Sequence, residues 1–145
     1  MLIPTHLFVT TCVAFELHLT GTELITAYIF GVLIDLDHLT KIKRLREKDF
    51  WLAKGKFCDH TWLHEPLGLI VVILISIIIQ SKIPVIFYSI HFFMDHFLLK
   101  AKSMPFLPFR QKVYSWGFIP SGSKVEWFLA PLFIIISIYL AWNLF

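Results

Sequence analysis

Gly31-Val32-Leu33-Ile34-Asp35-Leu36-Asp37-His38 is the stretch that decides how this chain is read. A largely apolar run from Leu24 to Leu33 passes directly into two carboxylates and an imidazole. Ionisable groups in apolar surroundings are expensive, and function is the usual reason for keeping them. Asp oxygens and His nitrogens are also donors that divalent metals take. Two carboxylates this close repel unless a cation lies beside them. The C-terminal end of a helix disfavours anions as well. The stretch therefore predicts one wall of a metal site, and the other walls are to be sought elsewhere in the chain.

The composition sets the expected surroundings. The 145 residues predict one domain, 1–145. Apolar residues make up 57%, with 15 Phe, against about 45–50% in an ordinary globular domain. Mean hydropathy is +0.74. Five apolar segments follow one another: Leu2 to Leu19, Glu23 to His38, Leu67 to Ile79 opened by Pro66, Ile83 to Leu99, and Ser123 to Phe145. Read as self-satisfied helices near bilayer length, they predict an all-α integral membrane bundle of about five transmembrane helices. Met1-Leu2-Ile3-Pro4-Thr5-His6 lacks a basic leader, so the first segment is expected to be retained. Cys12 and Cys58 share no motif and predict no disulfide.

The cations are distributed unevenly. Lys41, Lys43, Arg44, Arg46, Lys48, Lys54 and Lys56 lie between the second and third segments. Lys100, Lys102, Arg110, Lys112 and Lys124 lie between the fourth and fifth or open the fifth, leaving only Lys82 on the other side. By the positive-inside rule these loops and the N-terminus are expected in the cytoplasm of an inner-membrane protein. Ile42, Leu45 and Leu52, interleaved with Lys and Arg and joined by the aromatics Phe50 and Trp51, read as a basic interfacial helix or loop drawn to anionic lipid headgroups. An ordinary positive-inside loop is the competing reading. Topology accounts for the charge, so nucleic acid is not the expected partner.

In that arrangement the His and Asp residues fall at one depth. His6 opens the first segment; Asp35, Asp37 and His38 close the second. Asp59, His60, His64 and Glu65 precede the third, and His91 and Asp95 lie near the end of the fourth. His91 and Asp95, four apart, share a helix face and suit a shared ion or a carboxylate that orients the imidazole. A regular helix turns His96 away from His91. Ser123-Lys124-Val125-Glu126 matches a capping box, which competes with a role for Glu126 beside the site. Glu16 and His18 are expected at the opposite face. No glycine-rich phosphate loop or nucleophile elbow is present.

These elements together resemble the YdjM-like family of membrane-bound, metal-dependent hydrolases. That family shows an early His, a helix ending Pro-Asp-x-Asp-His, a His-Arg-x-x-Thr-His-Ser segment, a His-x-x-x-Asp helix, a Pro-Phe loop and a Gly-Ser-x-x-Glu start to the last helix. His6, Ile34 to His38, His91 with Asp95, Pro108-Phe109 with Tyr114, and Gly122 to Glu126 match in order, with Ile34 in place of Pro. The third element departs: His64 matches its second His, the first falls on Asp59 or His60, and the Arg and Ser are absent. The His-x-x-x-Asp element is also similar, more distantly, to the helical zinc-dependent phospholipases C.

The residues and the resemblance predict a membrane-embedded metal-dependent hydrolase. The ligands of a divalent ion, zinc or alternatively manganese, are drawn from His6, Asp35, Asp37, His38, His60, His64, His91 and Asp95. Asp35 or Asp59 serves as base, while Lys41, Arg110 and Lys112 bind substrate phosphate. Glu65 and Glu126 support the ligands from behind. Analogy makes a lipid or lipid-linked phosphoester the substrate. The alternatives are a non-enzymatic metal transporter or sensor, and a scaffold whose polar cluster only fixes helix packing.

Overall fold

The computed structural model describes residues 3–36, 61–100 and 123–144, together with 103–106, 109, 112 and 114–120 of the connection before the last helix. Asp37, His38, Asp59, His60, Lys41, Arg110, Cys58 and the basic stretch from Lys41 to Lys56 lie outside the described residues.

The chain is mostly helical. Among the described residues there are five helices: α1 (Ile3–Glu16), α2 (Gly21–Gly31), α3 (Pro66–Ile78), α4 (Ile83–Phe93) and α5 (Lys124–Leu144). A π-turn (Met94–Leu98) continues α4. Two short parallel strands, β1 (Leu99–Lys100) and β2 (Ile119–Pro120), close the connection that follows, pairing Leu99 with Ile119.

The helix ends have local causes. After α1, His18 takes a φ of 53°, and after α3, Gln80 takes 52°, a left-handed conformation that halts a helix. Pro66 and Pro84 sit in the first turns of α3 and α4, where a missing N–H costs nothing. The Val85 N–H donates to Ser76 Oγ at 3.2 Å, tying the start of α4 to α3. α2 stops at Gly31 because Val32 leaves helical geometry, and the chain tightens into a 3-10 turn over 33–36.

These stops overturn the membrane bundle. Among the described residues no helix is long and apolar enough to cross a membrane. At about 1.5 Å per residue, helices of 11 to 14 residues span about 16–21 Å, well short of a hydrocarbon core of about 30 Å. α5 has 21 residues, but it starts at Lys124, has Pro131 inside and includes Asn143. The apolar segments overstated helix length because they counted turn residues such as Leu17 to Leu19 and Ile79. With the spanning helices go the inner-membrane location, the cytoplasmic N-terminus and the cytoplasmic-face site inferred from them. Glu16 and His18 are exposed, at the α1–α2 turn.

α1 packs on α5 and on α2, and α2 and α3 pack on α4. Ala14, Ala27, Ile83 and Phe87 form the buried core cluster where α1, α2 and α4 meet. Cys12, a free thiol, lies 2.8 Å from Ser137 Oγ and joins α1 to α5. Gly31 fixes the closest approach of α1 and α2. A Cβ there would overlap the Thr10 side chain, which is itself buried. Gly68 does the same for the turn before α3, where a Cβ would strike the Leu63 carbonyl and the Tyr88 hydroxyl.

Gly31→Ala is therefore expected to destabilise the protein by about 1–3 kcal/mol, the usual cost of overpacking. Thr10→Ala added to it should recover a large part of that loss. Urea unfolding midpoints of the two variants against wild type measure both effects.

Candidate metal centre

Each side chain of the cluster arrives from a different local structure. His6 comes from the first turns of α1, and Asp35 from the 3-10 turn that follows α2. His64 closes a 3-10 turn, Trp62–His64, immediately before α3. His91 lies near the end of α4 and Asp95 in the π-turn. All five are buried, with Asp35 2% and Asp95 0% exposed. One donor atom each from His6, Asp35, His91 and Asp95 lies within 4.8 Å of every other, so this group could hold a metal ion.

The tautomer of His91 is set by its surroundings. Its Nδ1–H donates to the Gly31 carbonyl at 3.0 Å. In the neutral ring the Nε2 lone pair then points the other way. Nε2 stands 3.4 Å from Asp35 Oδ1 and 3.4 Å from Asp95 Oδ2, and it makes no hydrogen bond among the described residues. A lone pair facing two carboxylate oxygens requires a proton or a metal ion between them.

The remaining contacts complete the ring. His6 Nε2 is 3.1 Å from Asp95 Oδ1 and 3.7 Å from Asp35 Oδ2. The His6 and His91 rings stack with centroids 3.8 Å apart and planes 11° apart. His64 Nε2–H donates to Asp35 Oδ1 at 3.1 Å. Charge-assisted N–H···O bonds favour about 2.7–2.9 Å. Two ligands of one tetrahedral zinc, each about 2.0–2.1 Å from it, stand about 3.3 Å apart. Individual donor pairs in the four-residue group, counting both oxygens of each carboxylate, stand 3.1 to 3.7 Å apart, near the second pattern, and one atom per residue keeps the set within 4.8 Å. The donor set is nitrogen and oxygen throughout, which suits zinc or manganese.

Without a metal, the cluster holds protons instead. Burial lowers the pKa of His91, but the Asp35 and Asp95 carboxylates more than offset that and raise it to about 10. Burial lowers His6, and the neighbouring His91 lowers it further, with only partial compensation from the carboxylates. Burial would raise Asp35, yet the hydrogen bond from His64 and the close approach of His91 and His6 hold it far below the usual carboxylate range. Asp95 is also held low against the effect of burial, by positive groups that include His6 and His91.

The site thus brings together four residues that the sequence marked as ligands, His6, Asp35, His91 and Asp95. His64 is bonded to one of them but stands outside the group. Glu65 is buried beside the cluster. Glu126 lies in the first turn of α5, and its side chain is outside the described set. Lys112 is exposed, with Nζ 5.3 Å from the centre of the Tyr114 ring. His96 stays outside the four-residue group, as its turn away from His91 implied, but it is buried. The π-turn carries it inward, 3% exposed, with Nε2 3.5 Å from Glu65 Oε2. Nothing in the residues 94–98 marks a π-turn, and the burial of His96 against Glu65 is not read from the sequence.

No protein-family model matches this chain, and neither do any curated protein or any solved structure.

The pH dependence of the metal-free protein follows from these shifts. His91, raised above 6.5, contributes stability that is complete below that pH and is lost as pH rises through about 10. His6, lowered from 6.5, and the two lowered carboxylates contribute stability that is lost on acidification. Urea midpoints in the presence of a chelator should therefore peak near pH 6.5 and fall on both sides. A midpoint that climbs steadily from pH 6.5 to 9.5 would contradict the His91 assignment.

Proposed function

We propose that this protein is a metal-dependent hydrolase, with His6, Asp35, His91 and Asp95 as ligands of a divalent ion, zinc before manganese. The observation that carries the reading is His91. Its Nδ1–H is committed to a backbone carbonyl, and its Nε2 faces two buried carboxylates at separations suited to a shared ion. The resemblance to the YdjM-like hydrolases points to the same chemistry from the order of motifs.

A bound divalent ion would lower the pKa of water to about 7 and stabilise charge on an attacked phosphoryl group. The protein's own groups supply the rest. The Gly31 carbonyl holds the ring of His91 in register, as second partners of metal-ligating histidines do. His64 keeps a proton on Nε2 and orients Asp35 through it. Asp35 directs both oxygens into the cluster, so it acts as a ligand here and not as the base. Asp59, the other candidate base, lies outside the described residues. Of the three cations expected to bind a substrate phosphate, Lys112 is the one among the described residues. A phosphate ester of an apolar, lipid-like alcohol is the proposed substrate. A chain of ring contacts from Phe93 through Phe97 and Trp116 to Tyr114, over which Lys112 lies, supports that choice, since Phe93, Phe97 and Trp116 are exposed apolar surface.

One observation favours a second reading. Four ligands, all of them buried, make a closed set, and closed sets are characteristic of structural zinc. In that case the ion stabilises the fold and hydrolyses nothing.

Purified protein is expected to carry about one divalent ion per chain, and His91→Ala and Asp95→Ala should each lower occupancy at least tenfold. Because zinc must displace the His91 proton, its affinity should rise about tenfold per pH unit between pH 6 and 8. Hydrolysis of a long-chain phosphate ester should depend on added zinc and be lost in both variants. Metal binding without zinc-dependent hydrolysis of any phosphoester tested would select the structural reading.

A further inference from the structure

Two neighbouring residues of the cluster have buried partners of their own, and those partners meet. Glu65 follows His64, and its extended backbone, with φ −105° and ψ 168°, sends successive side chains to opposite sides. His96 follows Asp95 in the π-turn. The His96 Nδ1–H donates to the Phe92 carbonyl at 3.1 Å, and the Phe92 ring stacks on the imidazole with centroids 4.1 Å apart. Nε2 is thereby aimed at Glu65 Oε2, 3.5 Å away. The other oxygen, Oε1, accepts the Met104 N–H at 2.6 Å. The turn before α3, the π-turn after α4 and the chain after β1 are thus held at one carboxylate. Both side chains are buried, Glu65 1% and His96 3% exposed.

A buried polar contact of this kind gains little stability over well-packed apolar residues. What it supplies is geometry. We infer that Glu65 and His96 form a clasp that positions His64 and Asp95, and so sets the affinity and ligand geometry of the metal centre. This rests on the metal reading above. In the clasp, the Phe92 carbonyl and ring fix the imidazole, the imidazole fixes Oε2, and the Met104 N–H fixes Oε1. A change of one carboxylate then moves two residues of the cluster that belong to different elements.

The test measures zinc affinity by chelator competition and ligand geometry from the visible absorption of the Co2+-loaded protein. Glu65→Gln keeps an acceptor for Met104 but removes the charge facing His96. His96→Gln leaves the Glu65–Met104 bond in place. Each should weaken zinc binding tenfold or more and shift the Co2+ bands, while Glu65→Asp should be intermediate. Ser76→Ala, which loses the bond to Val85 on the far side of α4, is the control for simple destabilisation and should bind zinc like wild type. If Glu65→Gln does not fold, His96→Gln decides the matter on the same scale. Folded variants that bind within twofold of wild type with unchanged Co2+ bands overturn the clasp. So does a Ser76→Ala control that weakens zinc equally. Failure of the wild-type protein itself to bind zinc removes the metal reading, a result distinct from failure of the clasp alone.

Discussion

The Asp35 carboxylate is the constraint on which the arrangement depends. It is almost wholly removed from water, and isolated burial of a carboxylate costs several kcal/mol. Three imidazoles from three separate elements offset that cost, with Nε2 atoms at 3.1, 3.4 and 3.7 Å for His64, His91 and His6. Asp95 brings a second carboxylate to the same place, so protons on the imidazoles are shared between two acceptors. A single divalent ion held by the group would resolve the same electrostatics more completely, because it would satisfy lone pairs on all four residues at once.

The helical frame exists at the spacing this cluster requires. Gly31 lets α2 approach Thr10 of α1 and also presents the carbonyl that orients His91. Gly68 lets the turn containing Leu63 and His64 settle under α4, where the Tyr88 hydroxyl donates to the Leu63 carbonyl. Small residues at two contacts thus bring α1, the turns and α4 within reach of one centre. The apolar cluster of Ala14, Ala27, Ile83 and Phe87 holds the same helices together elsewhere along their length.

Much of the site was legible in the sequence because its donors are chemically unusual in an apolar chain. His6, Asp35, His91 and Asp95 stood out by type, and the four-residue spacing of His91 and Asp95 placed them together. Helix length was less legible. Apolar content does not reveal where a chain turns, and the positive-φ residue His18 and the break at Val32 cut segments that read as membrane spans. Likewise, Asp35 lies on a 3-10 turn and His96 on a π-turn; the four-residue spacing of His91 and Asp95 held, while the burial of His96 against Glu65 was not legible.

The most direct measurement of the central claim is X-ray absorption at the zinc edge on protein loaded with one equivalent of zinc. The account predicts an all nitrogen and oxygen shell at about 2.0–2.1 Å with two imidazoles in it, reduced to one imidazole in His91→Ala. A shell containing sulfur, one of waters alone, or one unchanged by His91→Ala would contradict the account.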